Sequence, residues 1–414
     1  MVDSGKDSAA HCLNLLYNRT MTTTYDVIVL GAGGAGLMCA MQAGQRGRSV
    51  RVLDHAEKVG HKILISGGGR CNFTNLGAKA ERYISANPHF CKSALARFTP
   101  QDFIALVDKH GIAYHEKKLG QQFCDGPAQQ IVDMLLDECA DAGVELSLGC
   151  TVEIIEKTEE SFVLDTSKGR MSCAKLVIAT GGLSIPKMGA TNFGYKVAYQ
   201  FGLKVVTTEP ALVPFTFTEK DLEFYSDLSG ISFDAEVRCG KTRFRENVLL
   251  THRGVSGPAI LQISSYWAPG DEIHVRILPN VDWAAYMKGL RDSAPKKEMS
   301  AALSEMLAKR LVDVLATRYG FAGKPCGMLS DKDIAKIDAT LRDFVIKPNG
   351  TEGYRKAEVT RGGVDTDELN ATTLEAKKVP GLHFIGEVVD VTGWLGGYNF
   401  QWAWASGAAA GRAV

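Results

Sequence analysis

None of the ten cysteines (Cys12, Cys39, Cys71, Cys91, Cys124, Cys139, Cys150, Cys173, Cys239, Cys326) is followed by another three places on. The chain therefore lacks the spacing of zinc ribbons, iron–sulfur ligation and thioredoxin-type redox pairs, and no metal is expected. It also lacks net charge: Lys+Arg and Asp+Glu each number 47. No global field draws it to nucleic acid or anionic lipid, so any such contact needs a local patch. No apolar run approaches the ~18 residues that span a bilayer, and no membrane partner is expected. Residues Met1–Thr20 lack the apolar core of a signal peptide and read as a disordered tail. With scattered thiols, these absences suggest a reducing, cytoplasmic setting. Internal repeats and low-complexity tracts are missing as well. What remains, 414 residues that are 45% hydrophobic and 23% charged, suits a globular protein of two or three domains.

The informative part is the apolar strand Tyr25–Leu30 running into Gly31-Ala32-Gly33-Gly34-Ala35-Gly36. A helical pattern follows, then a second strand, Ser49–Leu53, ending on Asp54. Gly31 permits the tight turn, Gly33 lets backbone approach a pyrophosphate, and Gly36 lets helix pack on strand. The helix start, including Gly34 and Ala35, offers free N–H groups and the positive end of its dipole to phosphates. Asp54 stands where an acceptor of adenosine ribose hydroxyls is expected.

The first half of the chain alternates strand and helix, giving an α/β fold class. Thr99 caps a helix with Pro100 in its first turn, and another runs from Pro127 to Gly143. Strands are expected at 144–148, 151–156, 162–165 and 175–179, the last breaking into Thr180-Gly181-Gly182. Residues 196–280 read as a β-rich insertion and 281–350 as a helical one, with Leu303, Met306, Leu307, Leu311, Val314 and Leu315 at one helical spacing. Lys309, Arg310 and Arg318 sit on that helix's other face. The α/β pattern resumes at 351–414. The expected architecture is thus a Rossmann-like nucleotide-binding domain, 21–195 plus 351–414, interrupted by both insertions.

The returning segment favours FAD over NAD. The strand Leu382–Ile385 leads into Gly386-Glu387, then Gly396-Gly397-Tyr398-Asn399 and a helix from Asn399 to Ala413. A helix N-terminus there would face the N1–C2=O edge of a flavin, where reduced flavin is negative. The turn at Thr180-Gly181 supplies a third glycine-rich strand end. No second fingerprint exists for a nicotinamide, so NADH or NADPH would act as a transient electron donor. The string from Lys62 to Asn75 holds Ser66-Gly67-Gly68-Gly69-Arg70-Cys71-Asn72, whose glycines can form an anion nest flanked by Lys62 and Arg70. These residues, and Val152, are expected to touch the cofactor.

The strings GAGGAGL, SGGGRCNFTN, THRGVSGPA (from Thr251), EVTRGGVD (from Glu358) and GEVVDVTGWLGGYNFQWAWASG together resemble the BaiN/RdsA family of flavoproteins, also called the YhiN or aminoacetone oxidase family. The resemblance covers residues 24–414 and is greatest to the enterobacterial YhiN/RdsA branch. It implies a glutathione-reductase-type FAD domain with inserted β and helical pieces. For that branch it implies NAD(P)H-driven reduction of a uridine C5=C6 bond to dihydrouridine in large-subunit ribosomal RNA. Other branches imply a small-molecule substrate: a conjugated bile-acid enone, or aminoacetone. Many relatives carry Val-Phe-Pro-x-Ser where this chain has Gln122-Phe123-Cys124-Asp125, which weakens transfer from those branches.

For uracil, hydride arrives at C6, charge develops toward O4, and a proton is needed at C5. Cys124 and Cys71 are candidate acids, and His252, Tyr398 and Asn399 candidate orienting groups. A lone thiol in such a chain is equally a small packed hydrophobe. Alternating Lys241, Arg243 and Arg245, with Lys117, Lys118 and Arg253, are candidate phosphate contacts.

Overall fold

The computed structural model describes residues 22–414; the expected tail at 1–20, with Cys12, lies outside the described residues. The chain forms two compact units, one of residues 22–209 with 359–414 and one of residues 210–358.

The first unit is built on a seven-stranded sheet. Its order runs Glu145–Ser147, Val50–Leu53, Thr23–Leu30, Gly169–Ile178, Phe162–Thr166, Val152–Lys157. The first four strands are parallel and the last two form an antiparallel extension. Gly169–Ile178 is long enough to pair twice on one side. Its first half takes Phe162–Thr166, and its last residues take Leu382–Phe384 in parallel. The returning chain thereby completes the sheet. The opening strand grows more buried toward its C-terminal end, where Val27–Leu30 are enclosed, as a central parallel strand requires.

The helices Gly34–Gly44 and Tyr398–Gly411 are apolar nearly all round and almost wholly buried, as core helices are. Small residues let them approach. A Cβ on Gly407 would meet the Ala35 carbonyl oxygen at 2.5 Å, and one on Gly411 the Cys39 carbonyl oxygen at 2.6 Å. The helix Pro100–Lys109 begins as expected, with Thr99 and Asp102 forming a reciprocal capping box.

The second unit holds another seven-stranded sheet, ordered Phe344–Ile346, Ile273–Ile277, Ser232–Cys239, Thr242–Thr251, Gly254–Ser256, Phe215–Thr216, Gly350–Thr351. Its helices include Pro258–Ser264, Trp283–Ser293, Lys309–Tyr319 and Asp331–Arg342. The β-rich and helical stretches thus share one compact unit, because the chain returns to the sheet after its helices. The apolar spacing from Leu303 to Leu315 does not form one helix. Met299–Leu303 ends at Ser304, and Ala308, in extended conformation, starts Lys309–Tyr319. Ser304 Oγ bonds back to the Ser300 carbonyl at 2.8 Å, a local competition that favours helix ends.

Candidate cofactor and active site

The fingerprint folds as its glycines dictate. Gly31 has φ +115° and its N–H donates to the Leu53 carbonyl at 2.8 Å, tying the two strand ends together. A Cβ on Gly36 would lie 1.9 Å from the Gly31 carbonyl oxygen; that is backbone against backbone, so only glycine fits. A Cβ at Gly33 would meet nothing within 4 Å. The turn therefore offers open backbone beside the first, unpaired N–H groups of the helix at Gly34–Gly36.

Asp54 closes this turn from below. One carboxylate oxygen accepts the Ala32 N–H at 2.7 Å and the other the Ala56 N–H at 2.8 Å. Each oxygen keeps a second lone pair. The Asp54 carbonyl accepts the Cys150 N–H at 2.8 Å, which brings Cys150, two residues before the strand Val152–Lys157, beside Asp54. Thr180 and Gly181 follow Gly169–Ile178 next to the fingerprint, since a Cβ on Gly31 would also crowd the Ala179 carbonyl oxygen. The Thr180 hydroxyl is shielded from solvent without a hydrogen-bond partner. Gly181 adopts φ +73° with open space around it.

The SGGGRCNFTN string is more ordered than a nest-forming loop. Gly67, Gly68 and Gly69 are all left-handed, with φ +58°, +70° and +84°. Cys71 is also left-handed (φ +45°), and its N–H returns to the Ser66 carbonyl at 3.1 Å. Asn72–Asn75 then forms a strand in a three-stranded sheet with Gln121–Cys124 and Tyr114–Glu116. That sheet delivers Asn72 and Thr74 to the start of the final helix. At Gly397 (φ +94°) a Cβ would lie 2.4 Å from the Thr74 carbonyl oxygen, and the Asn72 amide, suitably oriented, accepts the Gly397 N–H at 3.3 Å. Asn399 folds back on the glycine loop, accepting the Gly393 N–H at 2.8 Å and donating to its carbonyl at 3.0 Å. Tyr398 is buried; its hydroxyl accepts from Arg82 at 2.5 Å.

Lys62 and Glu387, 325 positions apart in sequence, meet at 2.6 Å. Lys62 also donates to Ser184 Oγ at 2.6 Å. Glu387 Oε1 accepts the Thr360 N–H at 2.9 Å and the Ser184 hydroxyl at 3.1 Å. The Lys62 charge is met by a carboxylate on the same network. Arg70 is exposed and donates to the Asp125 carbonyl at 2.6 Å.

The two candidate thiols lie side by side but inward. The Cys124 N–H donates to the Arg70 carbonyl at 3.0 Å, and both side chains are fully enclosed. Burial pushes the Cys71 thiol up to about 12 and the Cys124 thiol up to about 11, so both stay protonated at neutral pH with no exposed face. His252 belongs to the second unit, exposed on the turn between Thr242–Thr251 and Gly254–Ser256. Lys241 stands on a hairpin turn rather than on the strand that carries Arg243 and Arg245. Arg253 pairs with Glu352 at 3.1 Å, and Lys117 lies over the Phe123 ring. Ser184, Thr360, Arg82, Thr74 and Gln401 were not anticipated. Thr74, Thr360 and Gln401 lie within the family-like strings, and no local pattern marks any of the five.

A parallel sheet with this fingerprint, two further glycine-rich strand ends and a buried terminal helix defines an FAD-dependent oxidoreductase. The model of the HI0933-like protein Rossmann domain matches residues 25–413, and the chain belongs to that family, as its five strings suggested. It is 54% identical over 383 residues to the ribosomal RNA dihydrouridine synthase of Escherichia coli K12, covering 92% of this chain and 96% of that one. It is 48% identical to the protein so described from Haemophilus influenzae, with the same coverage. Among solved structures, 3-ketosteroid delta1-dehydrogenase of Sterolibacterium denitrificans shares the fold, with a TM-score of 0.50 at 15% identity over 95% of this chain and 99% of that one.

Proposed function

We propose that this enzyme reduces the C5=C6 bond of a uridine in large-subunit ribosomal RNA to dihydrouridine, with NADPH or NADH as electron donor. The observation that carries the reading is the match to the Escherichia coli enzyme along almost the whole of both chains. The residues of the first unit suit FAD. The N–H groups at Gly33–Gly36 would take the pyrophosphate, Asp54 the adenosine ribose, and Val152, two residues beyond Cys150, the adenine edge. The open backbone at Gly181 would meet the middle of the molecule. Gly386, Gly397 and the N-terminus of Tyr398–Gly411 would meet the ring. Bound FAD supplies a hydride to carbon.

The chain's own part is then to hold the uracil, stabilise charge at O4 and deliver a proton to C5. The dipole of the fourteen-residue terminal helix supports negative charge at its N-terminus. The enclosed thiols of Cys71 and Cys124 shape the wall behind the Asn72 strand; the proton comes from a group with solvent or substrate access. A base inside folded RNA must first be unstacked to reach such a site.

Mass mapping of dihydrouridine in ribosomal RNA from cells with and without the gene tests this. Loss of one dihydrouridine on deletion, restored by the purified flavin-loaded protein with NADPH or NADH, is the expected result. An unchanged map, with rapid turnover of a small conjugated enone or amine instead, defeats it.

A further inference from the structure

The outer face of the second unit's sheet concentrates positive charge beyond what its packing uses. Ser232–Cys239, Thr242–Thr251 and Ile273–Ile277 lie side by side and antiparallel. Their buried residues alternate with ones that emerge on the other face. In register there, Arg238 stands directly opposite Arg243 on one neighbour and opposite His274 on the other. One step along, Glu236 stands between Arg245 and Arg276. Like charges directly opposite one another destabilise a sheet, yet this row sets the guanidinium groups of Arg238 and Arg243 abreast, with His274, bonded to Asp343 at 2.8 Å, on the far side of Arg238. Lys241 sits at the tip of the two-residue turn joining the first two strands.

The local carboxylates engage only part of the patch. Asp234 takes Arg245 at 2.9 Å, and Glu236 is 3.9 Å from Arg243. Among the described residues, Arg238, Lys241 and Arg276 have no ion pair with any carboxylate; Arg238 donates to the Gly240 carbonyl at 3.4 Å. An open cavity of about 460 Å³ adjoins the row at the hairpin end of the sheet, lined by Arg238, Lys241 and His274, by the carboxylates Asp271 and Glu272, and by Tyr266, whose ring packs on the buried Phe244. Each of the two carboxylates in its lining has a partner, as does Asp343 nearby. Asp271 accepts the Ala268 N–H at 3.0 Å, Glu272 pairs with Lys347 at 2.6 Å, and Asp343 holds His274 at 2.8 Å.

We propose that this sheet face docks the ribosomal RNA strand, with Arg238, Arg243, Lys241 and Arg276 on its phosphates and the cavity receiving one nucleotide against Tyr266. The inference rests on the ribosomal reading of the function. Phosphates placed between opposed cations remove the repulsion that the sheet otherwise carries, and an aromatic wall beside a basic groove is the usual platform for single-stranded nucleic acid. The hairpin tip offers Gly240, Lys241 and Thr242 and no apolar side chain to enter a bilayer.

The test compares full-length flavin-loaded protein carrying Arg238→Ala with Arg243→Ala against a charge-matched control on the same unit, Lys296→Ala with Lys332→Ala. Binding to a large-subunit RNA fragment is read by fluorescence anisotropy across a salt series. The arginine pair should weaken binding ~10-fold or more and flatten the slope of log K against log salt by about 1.5. The control should stay within about twofold of the parent, and flavin absorbance and melting midpoint should match the parent in both. Parity of the arginine pair with the control overturns the inference while leaving the proposed activity standing. So does stronger binding of the parent to anionic vesicles with the same sensitivity to the arginine pair. A parent protein that neither binds the RNA nor forms dihydrouridine overturns the proposed activity and this inference together.

Discussion

At the scale of single residues, the cysteines decide an important question. A proton donor at a reacting carbon must touch it, and neither Cys71 nor Cys124 has an exposed atom to do so. We therefore expect Cys124→Ala and Cys71→Ala to keep dihydrouridine formation within about tenfold of the parent, whereas loss of a general acid costs about 10²–10⁴-fold. Single-turnover assays on the RNA substrate decide this; a loss of a hundredfold or more in either variant, with the fold intact, would restore the thiol as acid. The Lys62–Glu387 pair offers a second case. Both groups are partly shielded, with side chains 32% and 18% exposed. Removing only the lysine (Lys62→Met) should destabilise by about 1–2 kcal/mol, less than a fully buried pair would. Adding Glu387→Gln should recover part of that loss. Urea unfolding of the two singles and the double gives the coupling; additivity of the two would show that the pair does not matter to stability.

At the scale of elements, the parts legible in sequence were those whose signal is local. The strand into Gly31–Gly36, the second strand ending at Asp54 and the Thr99–Pro100 helix start all follow from neighbouring residues, and each appears as expected. The strand Asn72–Asn75 was not legible, because its partners Gln121–Cys124 lie far along the chain and its glycine-rich approach reads as a loop. The Lys62–Glu387 contact and the break at Ser304 were hidden for related reasons: one is made by tertiary proximity, the other by a serine whose side chain competes with the helix. The join between Asn72–Asn75 and the terminal helix depends on Gln401, which is fully buried. Its Oε1 accepts from Thr74 Oγ1 at 2.6 Å and its Nε2 donates to the Phe98 carbonyl at 2.8 Å. Trp404 adds a bond to the Phe73 carbonyl at 2.7 Å. Gln401→Met keeps the volume but orphans two buried groups, so a loss of about 2–4 kcal/mol is expected. Combining it with Thr74→Val, which removes one orphan, should lose less than the single. A Gln401→Met protein as stable as the parent in urea would mean that this junction does not hold the two elements together.

At the scale of the whole molecule, all nine thiols of the described residues are buried, and that sets an alkaline limit on stability. Burial raises Cys71, Cys139 and Cys173 to about 12, Cys91 and Cys124 to about 11, and Cys39 further still, from an ordinary 9.0. The folded state therefore holds protons that the unfolded chain releases. Below about pH 9 both states are protonated and the contribution to stability is complete; above it the unfolded state gains, until the folded thiols ionise near 11–12. In that window each thiol removes up to about 1.4 kcal/mol per pH unit. Half of that from six thiols is already a large share of a typical 5–15 kcal/mol. The melting midpoint should accordingly be level from about pH 7 to 8.5 and fall steeply by about pH 10, while iodoacetamide leaves the nine thiols unlabelled at pH 7.5 until the protein unfolds. Midpoints that stay level to pH 10.5, or rapid labelling of Cys71 or Cys124 in the native state, would show that these side chains reach solvent and that the interior around the Asn72 strand opens far more readily than its packing implies.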